Sequence, residues 1–303
     1  MDERSRISIG PVLFHWAAEE KRDFWYRIAD EAAVEIAYLG EVICSKRTPF
    51  FVHHLADVAE RLQRGGKTVV WSTLSQVITK LDRQIVADIC SMDGIEVEAN
   101  DVSALFHLAG HPHRIGQYVN TYNERTLGRL CAGGAMHFTL PAELPAPSIA
   151  GLAEAARKEN AGIEIQVFGR VSLALSARCY HARAHGRTKD NCLFVCEQDA
   201  DGMPLSTRTG EPFLSINGIQ TLSHGFLNLS AEMPALRSMG VGTFRLSPHT
   251  CDMVRVAQAY RDQLDGRTSP ADTDEALEAA GMPDPTMNGF FHRKPGMLNV
   301  AGA

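Results

Sequence analysis

The chain has 303 residues, of which 45% are hydrophobic and 22% charged, and its formal net charge is −6. These values are typical of a folded globular protein, and the length suits one large α/β domain. The acidic balance argues against a general nucleic-acid or anionic-membrane binder. Because neither a signal-peptide pattern nor a run of about 18 apolar residues occurs, we expect a cytoplasmic protein whose thiols stay reduced.

Strand-like apolar segments alternate with helix-like segments along most of the chain. The expected strands lie at 7–16, 34–39, 67–74, 95–99, 115–119, 136–140, from 163 onward, and at 242–246. The expected helices lie at 19–30, 51–63, 79–91, 102–109, 124–131, 149–160 and 252–264. This order predicts parallel βαβ units, and seven or eight of them favour a closed TIM-type (β/α) barrel that forms a single domain over residues 1–303.

Two segments depart from the alternation of strands and helices. The seventh strand runs into a cysteine-bearing stretch instead of a helix, so we expect an irregular insertion at about 176–215. The C-terminal segment, at about 267–303, is rich in Pro, Gly and acidic residues, and we expect an irregular arm there.

The cysteines of the insertion are candidate metal ligands. Cys192 and Cys196 are four residues apart, so one helical turn would place both sulfurs on the same face. Cys179 follows the seventh strand in the same stretch, and Cys44 follows the second strand and is the best fourth ligand. Cys251 is a reserve ligand. Because cytoplasmic thiols stay reduced, the set predicts a metal site rather than disulfides.

The residue pattern leaves the identity of the metal open. Four cations lie close in sequence to the candidate ligands: Lys46, Arg47, Arg178 and Arg183. Zinc and a 4Fe–4S cluster, each bound by four thiolates, carry the same net charge, so these cations do not distinguish between them. His181 and His185 are rival ligands. The structural alternative is that each cysteine is a small buried apolar side chain, and the local Cys192/Cys196 pair argues against it.

Polar residues at strand exits are candidates for the remaining chemistry. Barrel enzymes place their active sites at the carboxyl ends of the strands, where both Cys44 and Cys179 are expected. The catalytic residues stay unknown at this stage, and the rim candidates are Asn120, Asn123, Glu143 and Arg245. Taken singly, a polar residue at a strand exit is more often a loop cap than a catalytic group.

Seven segments spread over the chain carry a resemblance to a known family. They are GPVLFHW at Gly10, YLGEVICSKR at Tyr38, NTYNERTL at Asn120, LPAEL at Leu140, ALSARC ending at Cys179, NGIQTLS at Asn217 and FRLSPHT at Phe244. Through them the chain resembles the collagenase-like peptidase family. Where the broader family has Ser-Gly-x-Cys, this chain has Ala177 in place of the glycine, which indicates a branch that works in ubiquinone biosynthesis.

The resemblance implies a cofactor, partners and a reaction. Members of this branch hold a 4Fe–4S cluster through four cysteines, which correspond to Cys44, Cys179, Cys192 and Cys196. They pair with a homologous UbiU-like subunit, and a UbiT-like lipid carrier presents the isoprenoid substrate. The implied reaction is hydroxylation of a ubiquinone precursor without molecular oxygen, with prephenate as the oxygen donor.

Three alternatives stay open. Relatives in the same family hydroxylate RNA bases, although the acidic net charge weighs modestly against RNA binding here. A peptidase-like protein with a structural metal site is the second alternative, but the chain contains neither an H-E-x-x-H nor a G-x-S-x-G motif. The third is a non-catalytic subunit whose cluster only stabilises the fold.

Overall fold

The computed structural model describes residues 5–283 and 285–300. Within that part of the chain, eight parallel strands pair in sequence order and close into a barrel, because the last strand (Thr243–Leu246) pairs in parallel with both the first (Arg6–Ile9) and the seventh (Gly162–Leu175). The barrel strands are β1 (Arg6–Ile9), β2 (Ile36–Leu39), β3 (Thr68–Ser72), β4 (Glu96–Ala99), β5 (His113–Ile115), β6 (Ala135–Thr139), β7 (Gly162–Leu175) and β11 (Thr243–Leu246). The predicted TIM-type barrel is confirmed, with eight strands.

Helices lie between successive strands and cover the outside of the barrel. They are α1 (Ala18–Glu31), α2 (Thr48–Phe51), α3 (Leu55–Arg64), α4 (Lys80–Cys90), α5 (Val102–His107), α6 (Glu124–Cys131), α7 (Ala146–Lys158), α8 (Tyr180–Ala184), α9 (Met233–Ser238), α10 (Met253–Leu264) and α11 (Pro270–Ala279). Side-chain caps fix several of the starts, as Asp101 does for α5 by accepting a hydrogen bond from the Ser103 N–H. None of the helices described is long and apolar enough to cross a membrane.

The hydrophobic core lies between the barrel wall and the helices. Successive strand residues face opposite sides of a sheet, so every second residue points outward. Ile163 and Ile165 of β7 and Phe244 of β11 are fully buried in this layer. The intervening Glu164 and Arg245 point into the barrel, where they contact each other.

The barrel interior holds a network of charges. Arg245 donates from Nε to Glu164 at 2.6 Å and from Nη2 to Glu98 at 2.7 Å, and all three side chains are at most 5% exposed. The Tyr38 hydroxyl and His137 Nε2 lie 2.6 and 2.8 Å from the other Glu164 oxygen. Burial alone would raise the pKa of Glu164, but the Arg245 guanidinium and the His137 contact hold it well below its usual range. Branched aliphatic residues usually fill such interiors, so ionic contacts replace part of the normal packing here.

The insertion between β7 and β11 is partly regular. Strand β7 pairs with β11 as far as Phe168 and with antiparallel β10 from there on, so its second half leaves the barrel. Gly169 has φ +103°, and a Cβ there would lie 2.8 Å from Ser247 Cβ, so glycine is needed where the strand changes partners. The added strands are β8 (Met203–Ser206), β9 (Pro212–Asn217) and β10 (Gln220–Asn228).

The C-terminal arm contains a regular helix that the composition did not predict. Helix α11 begins with a capping box, in which Ser269 and Asp272 each accept a hydrogen bond from the other's backbone N–H. It packs on α10. The arm then adds a short strand, β12 (Thr286–Met287), to β10.

We expect replacement of Arg245 by Met to lower the free energy of unfolding by about 3–5 kcal/mol, because Glu98 and Glu164 would stay buried without their cation. Urea unfolding followed by circular dichroism measures the change. The double variant Arg245→Met/Glu164→Gln should recover part of the loss, since it removes one uncompensated charge. Arg61→Met, which removes an exposed pair with Asp30, is the control and should cost about 1 kcal/mol or less. A loss that small for Arg245→Met would contradict the proposed importance of the network.

Candidate metal centre

Cys44 lies in a fixed loop after β2. The Glu41 carboxylate accepts hydrogen bonds from the backbone N–H groups of Ile43 and Cys44, both at 3.0 Å. A short 3₁₀ turn, Ser45–Arg47, follows directly. These bonds hold the half-buried thiol at the carboxyl end of the strand, as the sequence predicted.

Cys179 forms the start of helix α8. Its sulfur accepts a hydrogen bond from the Ala182 N–H at 3.4 Å and so caps the helix. The segment is tied to the turn between β9 and β10, because the Ser176 N–H donates to the Ile219 carbonyl at 2.9 Å. The position of the thiol therefore depends on the strand pairs of the insertion.

Cys192 and Cys196 do not lie on a helical turn, so the predicted helical arrangement is wrong. Leu193 and Phe194 have φ values of 47° and 52°, in the left-handed region, and a 3₁₀ turn begins only at Val195. Residues other than glycine adopt this conformation rarely, so the surrounding contacts must hold the turn. One such contact is the packing of the Phe194 ring against Phe50, with centroids 4.6 Å apart.

All four candidate ligands nevertheless line one cavity. The side chains around it come from the loop after β2, helix α8, the turn before β8 and the β9–β10 turn; they are those of Cys44, Lys46, Arg47, Cys179, His181, Ala182, Lys189, Cys192, Phe194, Val195, Cys196 and Ile219, with the backbone of Gly218. Lys46 connects two of these segments, since its Nζ donates to the Lys189 carbonyl at 2.8 Å and lies 3.9 Å from Cys192 Sγ. The loop of residue 44 and the loop of residue 192 are thus joined beside the thiols.

Arg47 is the main charge at the cavity. It is 3% exposed and donates to the Leu13 carbonyl and to Asn217 Oδ1, both at 2.9 Å. Its Nε has no hydrogen-bond partner among the described residues. Gly218 makes room for the guanidinium, because a Cβ at that residue would lie 2.9 Å from Arg47 Nη2. Arg47 also lies beside Cys196, and a buried cation in that position is suited to a negatively charged sulfur ligand.

Burial and Arg47 act in opposite directions on the thiols. Burial raises the pKa of Cys44, Cys179 and Cys196, whereas the positive charge of Arg47 lowers the pKa of each. Metal ions bind the thiolate, so ligation releases a proton from each cysteine. Arg47 therefore favours the protonation state that ligation requires.

The rival ligands His181, His185 and Cys251 differ in their position relative to the cavity. His181 lies in the cavity wall with its Nε2 2.8 Å from Asp199 and its buried Nδ1 unpartnered among the described residues. His185 stacks on His181 and does not line the cavity. Cys251 is also outside it, with Sγ 3.6 Å from the sulfur of Met253. Among these, only His181 lies close enough to compete with the cysteines.

Two rim candidates line a second cavity, of about 300 Å³, at the barrel mouth. Asn120 and Glu143 contribute to its wall together with Tyr118 and Tyr122. The Tyr122 hydroxyl donates to the Glu143 carboxylate. Burial and this carboxylate both raise the pKa of Tyr122, so the phenol stays protonated and donating. The cavity offers hydrogen-bond acceptors and donors without a cation in its wall.

The other two rim candidates have structural partners. Asn123 caps α6 by accepting a hydrogen bond from the Thr126 N–H at 2.9 Å. Arg245 lies inside the barrel, where its guanidinium donates hydrogen bonds to Glu98 and Glu164. Sequence reasoning missed these two carboxylates, although the alternation of Ile163-Glu164-Ile165 in a strand covered by helices was a signal for a polar interior.

We expect Arg47→Gln to move the pH dependence of thiol alkylation to higher pH. The guanidinium stabilises the thiolates of Cys44 and Cys196, so its removal raises their pKa values and leaves less thiolate at a given pH. Iodoacetamide labelling of the metal-free protein across pH, with peptide mass spectrometry, gives the midpoint for each cysteine. Arg47→Lys should give intermediate midpoints, and Arg157→Gln, at the opposite end of the barrel, should give unchanged ones. Identical profiles for Arg47→Gln and wild type would contradict the assigned role.

Comparison with known proteins identifies the family. One solved structure that the chain is similar to is phospho-2-dehydro-3-deoxyheptonate aldolase from Thermotoga maritima, at 10% identity and a TM-score of 0.45, covering 93% of this chain and 72% of that one. Another is D-psicose 3-epimerase from Clostridium cellulolyticum, at 8% identity and a TM-score of 0.40, covering 91% and 96%. Likenesses of this extent carry no functional implication. The profile of Peptidase family U32 matches residues 19–300, and the chain therefore belongs to that family.

Proposed function

We propose that the chain is a UbiV-like iron–sulfur subunit of an oxygen-independent hydroxylase that acts on a ubiquinone precursor. The observation that carries the proposal is the meeting of Cys44, Cys179, Cys192 and Cys196 around one cavity beside buried Arg47, in a barrel of the U32 family. A thiol set without nearby acidic side chains in the cavity wall suits a soft metal centre.

A cluster is proposed for the four thiols rather than a single zinc ion. Within residues 5–283 and 285–300, no three His, Cys, Asp or Glu side chains lie close enough to hold one metal ion. A tetrahedral zinc site needs all four sulfurs about 2.3 Å from one ion. In a 4Fe–4S cluster each thiolate binds a different iron, so the sulfurs stay further apart while sharing one cavity.

The residues of the cavity have distinct proposed roles. The four cysteines would hold the cluster, which when bound supplies one-electron redox chemistry. Arg47 and Lys46 would balance the negative charge of the thiolates, since Arg47 lies beside Cys196 and the Lys46 Nζ lies 3.9 Å from Cys192 Sγ. Phe194 and Ile219 provide apolar wall that limits access of water.

The cavity at the barrel mouth is the proposed site of the substrate ring. The Tyr122 hydroxyl donates to Glu143 there, which leaves the phenolic oxygen and the second Glu143 oxygen to accept a hydrogen bond from a ring that carries a hydroxyl group. A homologous UbiU-like subunit, a UbiT-like lipid carrier and prephenate as oxygen donor complete the proposal, and they rest on the family resemblance. An RNA base hydroxylase of the same family is the alternative activity, and binding assays with RNA and with quinone precursors distinguish the two.

We expect protein purified without oxygen to contain about four iron and four sulfide ions per chain. Cys192→Ala/Cys196→Ala should lose most of both, because two of the four ligands are gone. Iron and sulfide assays, with the visible absorption spectrum, measure the content. Cys90→Ala, which changes a half-buried cysteine packed on the core, should keep full content. An iron-free wild type, or a double cysteine variant with undiminished iron, would rule out the proposed centre.

Deletion of the gene should abolish ubiquinone in cells grown without oxygen and leave it in aerated cells, because oxygen-dependent hydroxylation does not need this subunit. Quinone extraction and mass spectrometry provide the measurement. Plasmid copies with Cys44→Ala and with Cys90→Ala separate the proposed centre from general loss of protein. Normal anaerobic ubiquinone in the deletion strain would exclude the pathway.

A further inference from the structure

The stretch that leads into the cysteine loop has a charge opposite to that of the whole chain. Residues 165–189 contain five cations and no Asp or Glu, giving this stretch a charge of +5 in a chain of −6. The five are Arg170, Arg178, Arg183, Arg187 and Lys189. Arg170 donates hydrogen bonds to the Ser223 and His224 carbonyls, and the other four cations indicate a surface that meets a negatively charged partner.

Four of these cations surround one open pocket of about 510 Å³. Its wall consists of residues 177–179, 183 and 186–189, and it contains no acidic side chain. Among the described residues, the side chains of Arg178, Arg183, Arg187 and Lys189 form no ion pair. Their charges are therefore available to a partner.

The basic pocket adjoins the cysteine cavity. Cys179 and Lys189 belong to the walls of both. Two large apolar side chains next to the cysteines are also exposed, Tyr180 at 48% and Leu193 at 64%. A small apolar contact with a charged rim is the usual composition of a transient protein interface.

We propose that this surface docks a small acidic electron-carrier protein and brings it within electron-transfer distance of the cysteine centre. The inference rests on the proposed function for the presence of a redox cluster. The reduced carrier gives up one electron and is left oxidised, the centre is reduced by that electron, and no bond forms or breaks. Electrostatic complementarity mainly raises the rate of encounter, which suits a partner that must leave after each transfer.

The small area covered by the unpaired cations favours an acidic protein over a nucleic acid as the partner. An RNA strand presents phosphates along an extended path, and its binding requires cations distributed along that path. Here the unpaired cations are concentrated around one pocket and flanked by exposed Tyr180 and Leu193. Weak redox encounters use contacts of this limited size.

The first test measures docking without any need for a cofactor. The probe is a plant-type 2Fe–2S ferredoxin, which is an acidic one-electron carrier. It is titrated into the metal-free full chain and, separately, into the iron-loaded full chain, and binding is followed by calorimetry or NMR. We expect a complex that weakens about ten-fold or more between roughly 20 and 300 mM salt, because exposed charge contacts are screened. Arg178→Glu/Arg183→Glu should weaken it about ten-fold or more at low salt, and Arg157→Glu, at the far end of the barrel, should leave it unchanged.

The second test measures electron transfer. Stopped-flow reduction of the iron-loaded protein by reduced ferredoxin should be about ten-fold slower in Arg178→Glu/Arg183→Glu, while reduction by methyl viologen radical cation should not be slowed. If the double charge reversal does not fold or load iron, the neutral variant Arg183→Gln/Arg187→Gln replaces it, with a smaller decrease expected.

The outcomes separate the two proposals. Absence of a complex at low salt, or equal binding by wild type and the reversed variant, overturns the docking surface even if the cluster is present. Salt-dependent binding of RNA through the same arginines, without binding of ferredoxin, also overturns it. A charge-dependent complex with a protein that never loads iron would support the surface and reject the proposed cluster.

Discussion

The contact of Arg245 with Glu98 and Glu164 is the interaction on which the rest of the structure depends. It joins strands β4, β7 and β11 across the interior, including the pair of strands that closes the barrel. Buried ions are stable only when their partners are all present, so the network accepts one register of these strands and disfavours others. In return for this fixed register, charged side chains occupy interior positions that aliphatic side chains usually fill. Beyond Phe168, strand β7 pairs with β10 instead of β11 and leads into the insertion.

The candidate metal centre inherits its geometry from that exit. Cys179 follows β7 directly, and the β9–β10 turn next to it holds Asn217, which accepts a hydrogen bond from Arg47. Arg47 also reaches Leu13 in the loop after β1. A single buried guanidinium thus connects the first loop of the barrel, the Cys44 loop and the insertion. The four thiols line one cavity because closure of the barrel brings the loop after β2 and the insertion after β7 to the same end.

The fold followed from the sequence more completely than the site did. Alternating strand and helix patterns with local caps such as Asp101 are short-range signals, and they predicted the barrel correctly. The partners of Arg245 lie 81 and 147 residues away, so a rule based on strand ends placed it at the rim instead of the interior. The four-residue spacing of Cys192 and Cys196 is compatible with several backbone conformations. Neither Leu193 nor Phe194 is a glycine or asparagine, the residue types that would have predicted a left-handed turn.

The cysteines come from positions as distant as residues 44 and 196, and their loops are connected in the polypeptide by side-chain contacts such as those of Arg47 and Lys46. A cofactor bound by all four thiols would cross-link segments that are about half of the chain apart in sequence. Loss of the cofactor would release the loops of the insertion together. Loops freed in this way are where proteases cut first. The lifetime of the protein in a cell would then be set by exposure to oxidants, so that the same chemistry that disables the centre also removes the polypeptide.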